Sequence, residues 1–147
     1  MDPNALKQML TTMVPFINTV GIVIDDIATT TATATLPDRK AVQNHLGTAH
    51  AGAVYTLGES ATGGVVLALF ADKLPGAFIA LKTASASHRK ALPGDVIATA
   101  SLTGDATDIR AAFDQDGRVD FDVEVRFTVD GTETGHNVYT WAARAPR

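Results

Sequence analysis

Sixteen residues of the chain are acidic but only three of them are glutamates, and one, Glu59, stands inside its most apolar stretch, Ala51 to Ala71. A carboxylate in such a place is either a reactive group, as nucleophile or general base, or a hydrogen-bonding group that fixes a helix. On a helix its neighbours three and four residues away are Tyr55, Thr56, Thr62 and Gly63. One side therefore offers hydroxyls, and the other has almost no side chain, which would let a ligand approach. Just upstream, Asn44-His45-Leu46-Gly47-Thr48-Ala49-His50-Ala51-Gly52 reads as a polar loop closing onto a helix start. Free backbone N–H groups at the positive end of the helix dipole could hold an oxyanion there, and Ala51 and Gly52 are small enough to let a thioester or phosphate in. Thr48 or His50 could equally serve as an ordinary cap there, with Gly47 making the turn. Eight residues of helix separate Ala51 from Glu59 by roughly 12 Å. If both act on one carbonyl carbon, they come from two copies of the chain.

A third feature is His88-Arg89-Lys90, the only cluster of three potentially cationic side chains. It suits recognition of an anion such as phosphate, or else it is a solvated strand end. Other chemistries find no support. His45 and His50 are five residues apart and no His-Glu-x-x-His pattern occurs, so no metal site is expected. There is no Gly-x-Ser-x-Gly elbow, and with no cysteine there is neither a thiol nucleophile nor a disulfide framework. His136 and Trp141 read as packing residues.

The elements that must position these groups follow from periodicity. Leu6, Met9, Leu10 and Met13 predict a short amphipathic helix over Asn4 to Val14, stopped by Pro15. Val20 to Leu36 predicts two strands turning near Asp25-Asp26 or Thr29. Pro37 to His50 reads as a loop, and Ala51 to Ala71 as a long helix. Glu59, Ser60, Thr62, Gly63 and Gly64 interrupt that helix, which argues for burial in a core rather than a membrane span. Strands follow at Ala77 to Arg89, Asp95 to Gly104, Arg118 to Asp130 and Thr134 to Arg144, with Asp114 to Gly117 as a loose connection. The third of these alternates apolar and polar residues without a break from Val119 to Val129, so one face is buried and one is wet.

Length and charge bound the rest. The 147 residues, 46% hydrophobic and 19% charged, are enough for one core, and residues 1–147 are expected to form a single domain. A net charge of -4 with scattered basic residues makes nucleic acid an unlikely partner. The opening Met1-Asp2-Pro3-Asn4 lacks the pattern of a signal peptide, and the cytoplasm is the expected compartment. The element order gives an α+β fold with a mostly antiparallel six-stranded sheet. Its unpaired edges predict association with a second copy, a dimer at least.

The run Asn44-x-x-Gly47-x-x-His50-Ala51-Gly52, followed by Leu57-Gly58-Glu59, resembles the signature of the hotdog-fold thioesterases, in particular the phenylacetate-pathway acyl-CoA thioesterase branch and its uncharacterised relatives. Ala51 replaces the first glycine after the histidine, and Glu59 stands where many relatives have aspartate. The resemblance covers nearly the whole chain and implies a long central helix wrapped by the sheet. It implies hydrolysis of acyl-CoA thioesters, with coenzyme A entering as part of the substrate and no separate cofactor, in a homodimer or a dimer of dimers. Glu59 would be nucleophile or general base, and Asn44 would hold the carbonyl or the attacking water. The N–H of Ala51, with Gly52, would form the oxyanion hole. His50 would shape the turn or transfer protons, while Tyr55 and Gly63 would border the substrate and His88, Arg89 and Lys90 would face the coenzyme A phosphates. Two other classes stay open on this scaffold: a non-catalytic acyl-CoA-binding module, and a hydratase or dehydratase acting on an acyl-CoA.

Overall fold

The alternation over Val119 to Val129 becomes one wall of the core in the computed structural model, which describes residues 1–147. Strand β5 (Arg118–Val129) buries Phe121, Val123, Val125, Phe127 and Val129 and turns Asp120, Glu124 and Arg126 to solvent. Its partner β6 (Thr132–Arg144) follows through the two-residue turn Asp130-Gly131, where φ is 48° and 77°. Positive φ at both positions is what a hairpin needs to match the twist of its strands. The remaining strands are β1 (Val23–Ile27), β2 (Thr31–Leu36), β3 (Phe78–His88) and β4 (Val96–Leu102). All pair antiparallel in the order β1-β2-β4-β5-β6-β3.

Four α-helices accompany the sheet: α1 (Pro3–Met13), α2 (Pro15–Val20), α3 (Ala51–Phe70) and α4 (Ala106–Asp116). The sheet curls around α3, which is apolar on almost every side and buries Val54, Leu57, Ala61, Val65, Leu69 and Phe70 against it. This helix is long and apolar enough to cross a membrane, and 67% of its apolar window is buried inside the fold. Helix α1 covers the outer side of α3 with Leu6 and Leu10.

Two sequence-based expectations change here. Pro15 does end α1, but it also opens α2, because proline's fixed φ and missing N–H suit the first helical position as well as a stop. The stretch read as a loose connection at Asp114 to Gly117 is the last turn of α4 and its cap. Phe113 is the one buried residue of α4, with Ala106 and Ile109 partly buried on the same face, so its apolar stripe is narrow. The helix's other signals lie at its ends. The Asp105 carboxylate accepts from the Asp108 N–H at 3.0 Å, and Gly117 closes the helix at φ 68°. Phe113 packs edge-on against Phe70 of α3 with ring centres 5.3 Å apart. Arg110 donates to the Leu69 carbonyl and makes a two-pronged ion pair with Asp72, capping the far end of α3. Replacing Asp105 with Ala should cost about 1 kcal/mol, measured as a lower chemical-denaturation midpoint with unchanged slope.

Strand β3 stands apart. It is eleven residues long, pairs only with β6, and is exposed along Thr83 to His88. An edge of this length with one side unpaired is a template for another chain.

Candidate active site

The loop before α3 is held by one side chain. The Asn44 amide oxygen accepts from the Leu46 N–H at 2.9 Å and the Thr48 N–H at 3.2 Å, and its amide nitrogen bonds Thr48 Oγ1 at 3.0 Å. Gly47 takes φ 73° at the tip, and the Asn44 N–H closes the loop on the Thr48 carbonyl at 2.8 Å. Asparagine favours such a turn because its side chain can bond backbone two to four residues on. Asn44 is thus committed first to shaping this loop.

His50 is the N-cap of α3. Its Nδ1 accepts from the Gly52 N–H at 2.8 Å, which requires the unprotonated nitrogen at that position. This corrects the expectation for Gly52: its N–H is taken up by the cap and is not free for an oxyanion. The Val54 N–H bonds the His50 carbonyl, whereas the N–H of Ala51 makes no bond within the chain. Ala51 is therefore the donor that the helix start offers to a ligand.

Ala51 opens into a cleft of about 330 Å³. Its lining includes Asn44, Thr48 and Ala51 from the loop and helix start, His88, Arg89 and Lys90 from the end of β3, and the apolar Val54, Val96, Phe127 and Val129. The basic strand end is fixed where the N–H groups of Arg89 and Lys90 both bond the Thr134 carbonyl, at 2.8 and 3.1 Å. Neither Arg89 nor Lys90 has a carboxylate partner, so their charge is available to an anion. His50 and Gly52 face a different groove, of about 300 Å³, shared with Phe16, Val20 and Thr56.

Glu59 lies outside the cleft, two turns further along α3. It is half-buried, and no donor reaches its carboxylate, so burial pushes its pKa above the usual carboxylate range. Tyr55, one turn earlier, is half-exposed, and its phenol is pushed up by burial and then by the Glu59 charge. Gly63 is corrected as a ligand approach: it is buried on the α1 side, where a Cβ would sit 3.3 Å from Leu10 Cδ1. Within one chain, then, the structure gathers Asn44, Ala51, His88, Arg89 and Lys90, and leaves Glu59, Tyr55, His50, Gly52 and Gly63 elsewhere.

Three residues that sequence reasoning did not place in the site connect β6 to the turns of α3 on either side of Glu59. The Tyr139 hydroxyl donates to the Tyr55 carbonyl at 2.7 Å, Asn137 Nδ2 donates to Tyr139 at 3.0 Å, and Trp141 Nε1 donates to Thr62 Oγ1 at 3.0 Å. The available signal was Gly58, a glycine inside an otherwise regular helix, which marks a close approach from another element.

Comparison with known proteins fits this architecture. The profile of Domain of unknown function (DUF4442) matches residues 3–142. A thioesterase of Pseudomonas aeruginosa, solved as a point mutant, superposes with a TM-score of 0.77 at 18% identity, over 95% of this chain and 94% of that one. A protein of unknown function from Chlorobaculum tepidum gives a TM-score of 0.85 at 16% identity, over 97% and 93%. A mutant of the phenylacetic acid degradation protein PaaI of Thermus thermophilus gives 0.69 at 17% identity, over 88% and 98%. No curated protein matches the sequence. The chain belongs to the DUF4442 family and has the hotdog fold that these structures share.

Proposed function

We propose that the protein is an acyl-CoA thioesterase whose active site is completed by two copies of the chain. The observation that carries this reading is Glu59, a half-buried carboxylate without a hydrogen-bond donor on the central helix. A structural glutamate would be expected to find a donor, because burying an unpaired carboxylate costs free energy. The cleft supplies the complementary groups: the Ala51 N–H for an oxyanion, and Arg89 and Lys90 for phosphates. Glu59 and Ala51 lie roughly 12 Å apart along one helix, too far to serve the same carbonyl. The long exposed edge of β3, whose end carries the basic cluster, supports a pairing that would bring the Ala51 cleft of one protomer to Glu59 of its partner.

In this arrangement the thioester carbonyl lies between the two groups. Glu59 attacks the carbonyl carbon, or takes a proton from a water that does, and negative charge moves onto the oxygen facing Ala51. In the first case the tetrahedral species expels the coenzyme A thiolate and leaves an acyl-Glu59 anhydride, which water hydrolyses to the free carboxylic acid and the Glu59 carboxylate. In the second it collapses directly to the carboxylic acid and the thiolate, which takes back the proton that Glu59 had accepted. One donor facing such an oxyanion is worth about 3 to 4 kcal/mol. Asn44 contributes by holding the loop that aims the Ala51 N–H.

A screen of short, medium, long and aryl acyl-CoAs for thiol release tests the reading; no release from any of them would overturn it. Because Arg89 and Lys90 would act on the carrier and not on the reacting carbon, R89A/K90A should raise KM about tenfold or more while kcat changes little, and KM of the wild type should rise with salt. An equal KM for a short synthetic thioester, which lacks the phosphates, completes that test. The second reading, an acyl-CoA-binding module, is favoured by the fact that the cleft of a single chain excludes Glu59. It predicts a thermal shift with acyl-CoA and no thiol.

A further inference from the structure

Two hydrogen bonds cross from β6 to α3, and they bracket the turn that carries Glu59. On the N-terminal side, the fully buried Tyr139 hydroxyl donates to the Tyr55 carbonyl at 2.7 Å. That carbonyl lies four residues before Glu59, so it is the regular helical acceptor for the Glu59 N–H. The Glu59 N–H is itself close enough to the phenol oxygen to polarise it. On the C-terminal side, Trp141 Nε1 donates to Thr62 Oγ1 at 3.0 Å, and the Thr62 hydroxyl donates at 2.8 Å to the carbonyl of Glu59 itself. Both faces of the Glu59 peptide turn are thereby tied to one strand.

The surroundings are cut to this purpose. Tyr139 and Trp141 are two residues apart on β6, so they project from the same side of the strand. Gly58 makes the room: a Cβ there would lie 2.2 Å from the Tyr139 oxygen. Asn137, 1% exposed, donates to that oxygen at 3.0 Å and accepts the Ser87 N–H at 3.2 Å. The chain of contacts thus runs from the residue before His88, Arg89 and Lys90 to the helical turn of Glu59. Packing alone would not call for it, since phenylalanine and valine would fill the same volumes without polar groups to satisfy.

We propose that Tyr139 and Trp141, the latter through Thr62, are positioning residues that fix the backbone of Glu59 and so aim its carboxylate. The inference rests on Glu59 being the reactive group. Y139F and T62V remove one hydroxyl each from opposite ends of the clamp, so failure of either to fold leaves the other to read. Each should lower kcat about tenfold or more while KM stays within about threefold, because misplaced reacting groups penalise the chemical step. T62S, which keeps the hydroxyl, should restore kcat. A second readout needs no turnover: the titration midpoint of the Glu59 carboxyl, followed by carbon-13 NMR, should move by about half a pH unit or more in Y139F and T62V and stay put in T62S. Tyr55 and Tyr139 are the titratable groups set against Glu59, and only Tyr139 is altered. Lower thermal stability with unchanged kcat and an unchanged midpoint would overturn the clamp. If the wild type releases no thiol yet the midpoint moves, the thioesterase reading fails and the clamp stands; if neither occurs, both fall.

Discussion

Replacing Glu59 by Gln should reduce kcat for acyl-CoA hydrolysis by about a thousandfold or more and leave a folded protein. The amide keeps the shape of the side chain but is neither a nucleophile nor a base, and a positioned base alone contributes on the order of 10² to 10⁴. The pH behaviour follows from the raised carboxyl pKa. Activity should fall as pH drops through that raised value, so the acid limb of kcat/KM lies above the ordinary glutamate range. Stability moves the opposite way. The native state holds the Glu59 proton to higher pH than the unfolded chain does, so the contribution of this group is most favourable below the unfolded pKa. It declines as pH rises to the native pKa and is level beyond it. E59Q removes the penalty of an ionised, half-buried group and should melt at or above the wild-type temperature at neutral pH. A variant that loses activity and melts well below the wild type at neutral pH would point instead to a structural role for Glu59.

The largest loss of stability is expected at the neighbouring residue. Helix propensity alone says that Gly58→Ala should gain about 1 kcal/mol. The structure says otherwise, because the added methyl would meet the Tyr139 oxygen at 2.2 Å and Phe127 Cζ at 2.8 Å. Tyr139 is fully buried and Phe127 is 1% exposed, so neither can swing aside. Overpacking of this kind costs roughly 1 to 3 kcal/mol, and more when the obstacle is fixed. A net loss of about 2 to 3 kcal/mol, or roughly 5 to 10 °C in Tm for a chain of this size, is the expected result. Gly63→Ala is the internal contrast. Its methyl would meet only the end of Leu10 at 3.3 Å, so its effect should be close to neutral. Equal melting temperatures for G58A and the wild type would show that Tyr139 does not press on the helix, and the clamp around Glu59 would lose its footing.

Some of this molecule is written locally. The unbroken alternation of β5, the apolar run of α3 and the turn residues at Asp130-Gly131 each commit their own segment, because burial of one strand face or of a whole helix is decided by neighbours two to four residues away. The same holds for the Asn44 to His50 loop, whose hydrogen bonds span no more than eight residues. Helix α4 escaped because its apolar stripe is narrow, only Ala106, Ile109 and Phe113, and its other signals were the capping residues Asp105 and Gly117 at its ends.

From sequence alone came the hotdog architecture, the place of the helix start, and the anomaly of one glutamate in an apolar helix. Only the tertiary structure decided that the Gly52 N–H is engaged by His50, that the Ala51 cleft excludes the Glu59 of its own chain, and that β6 grips the turn beneath that carboxylate. The bonds from Tyr139 to Tyr55 and from Trp141 to Thr62 join residues 84 and 79 positions apart. Such pairs form only after the sheet has curled around α3. A glycine at position 58 can announce that something comes close, but which side chain arrives is set by strand register, and that is a property of the whole sheet.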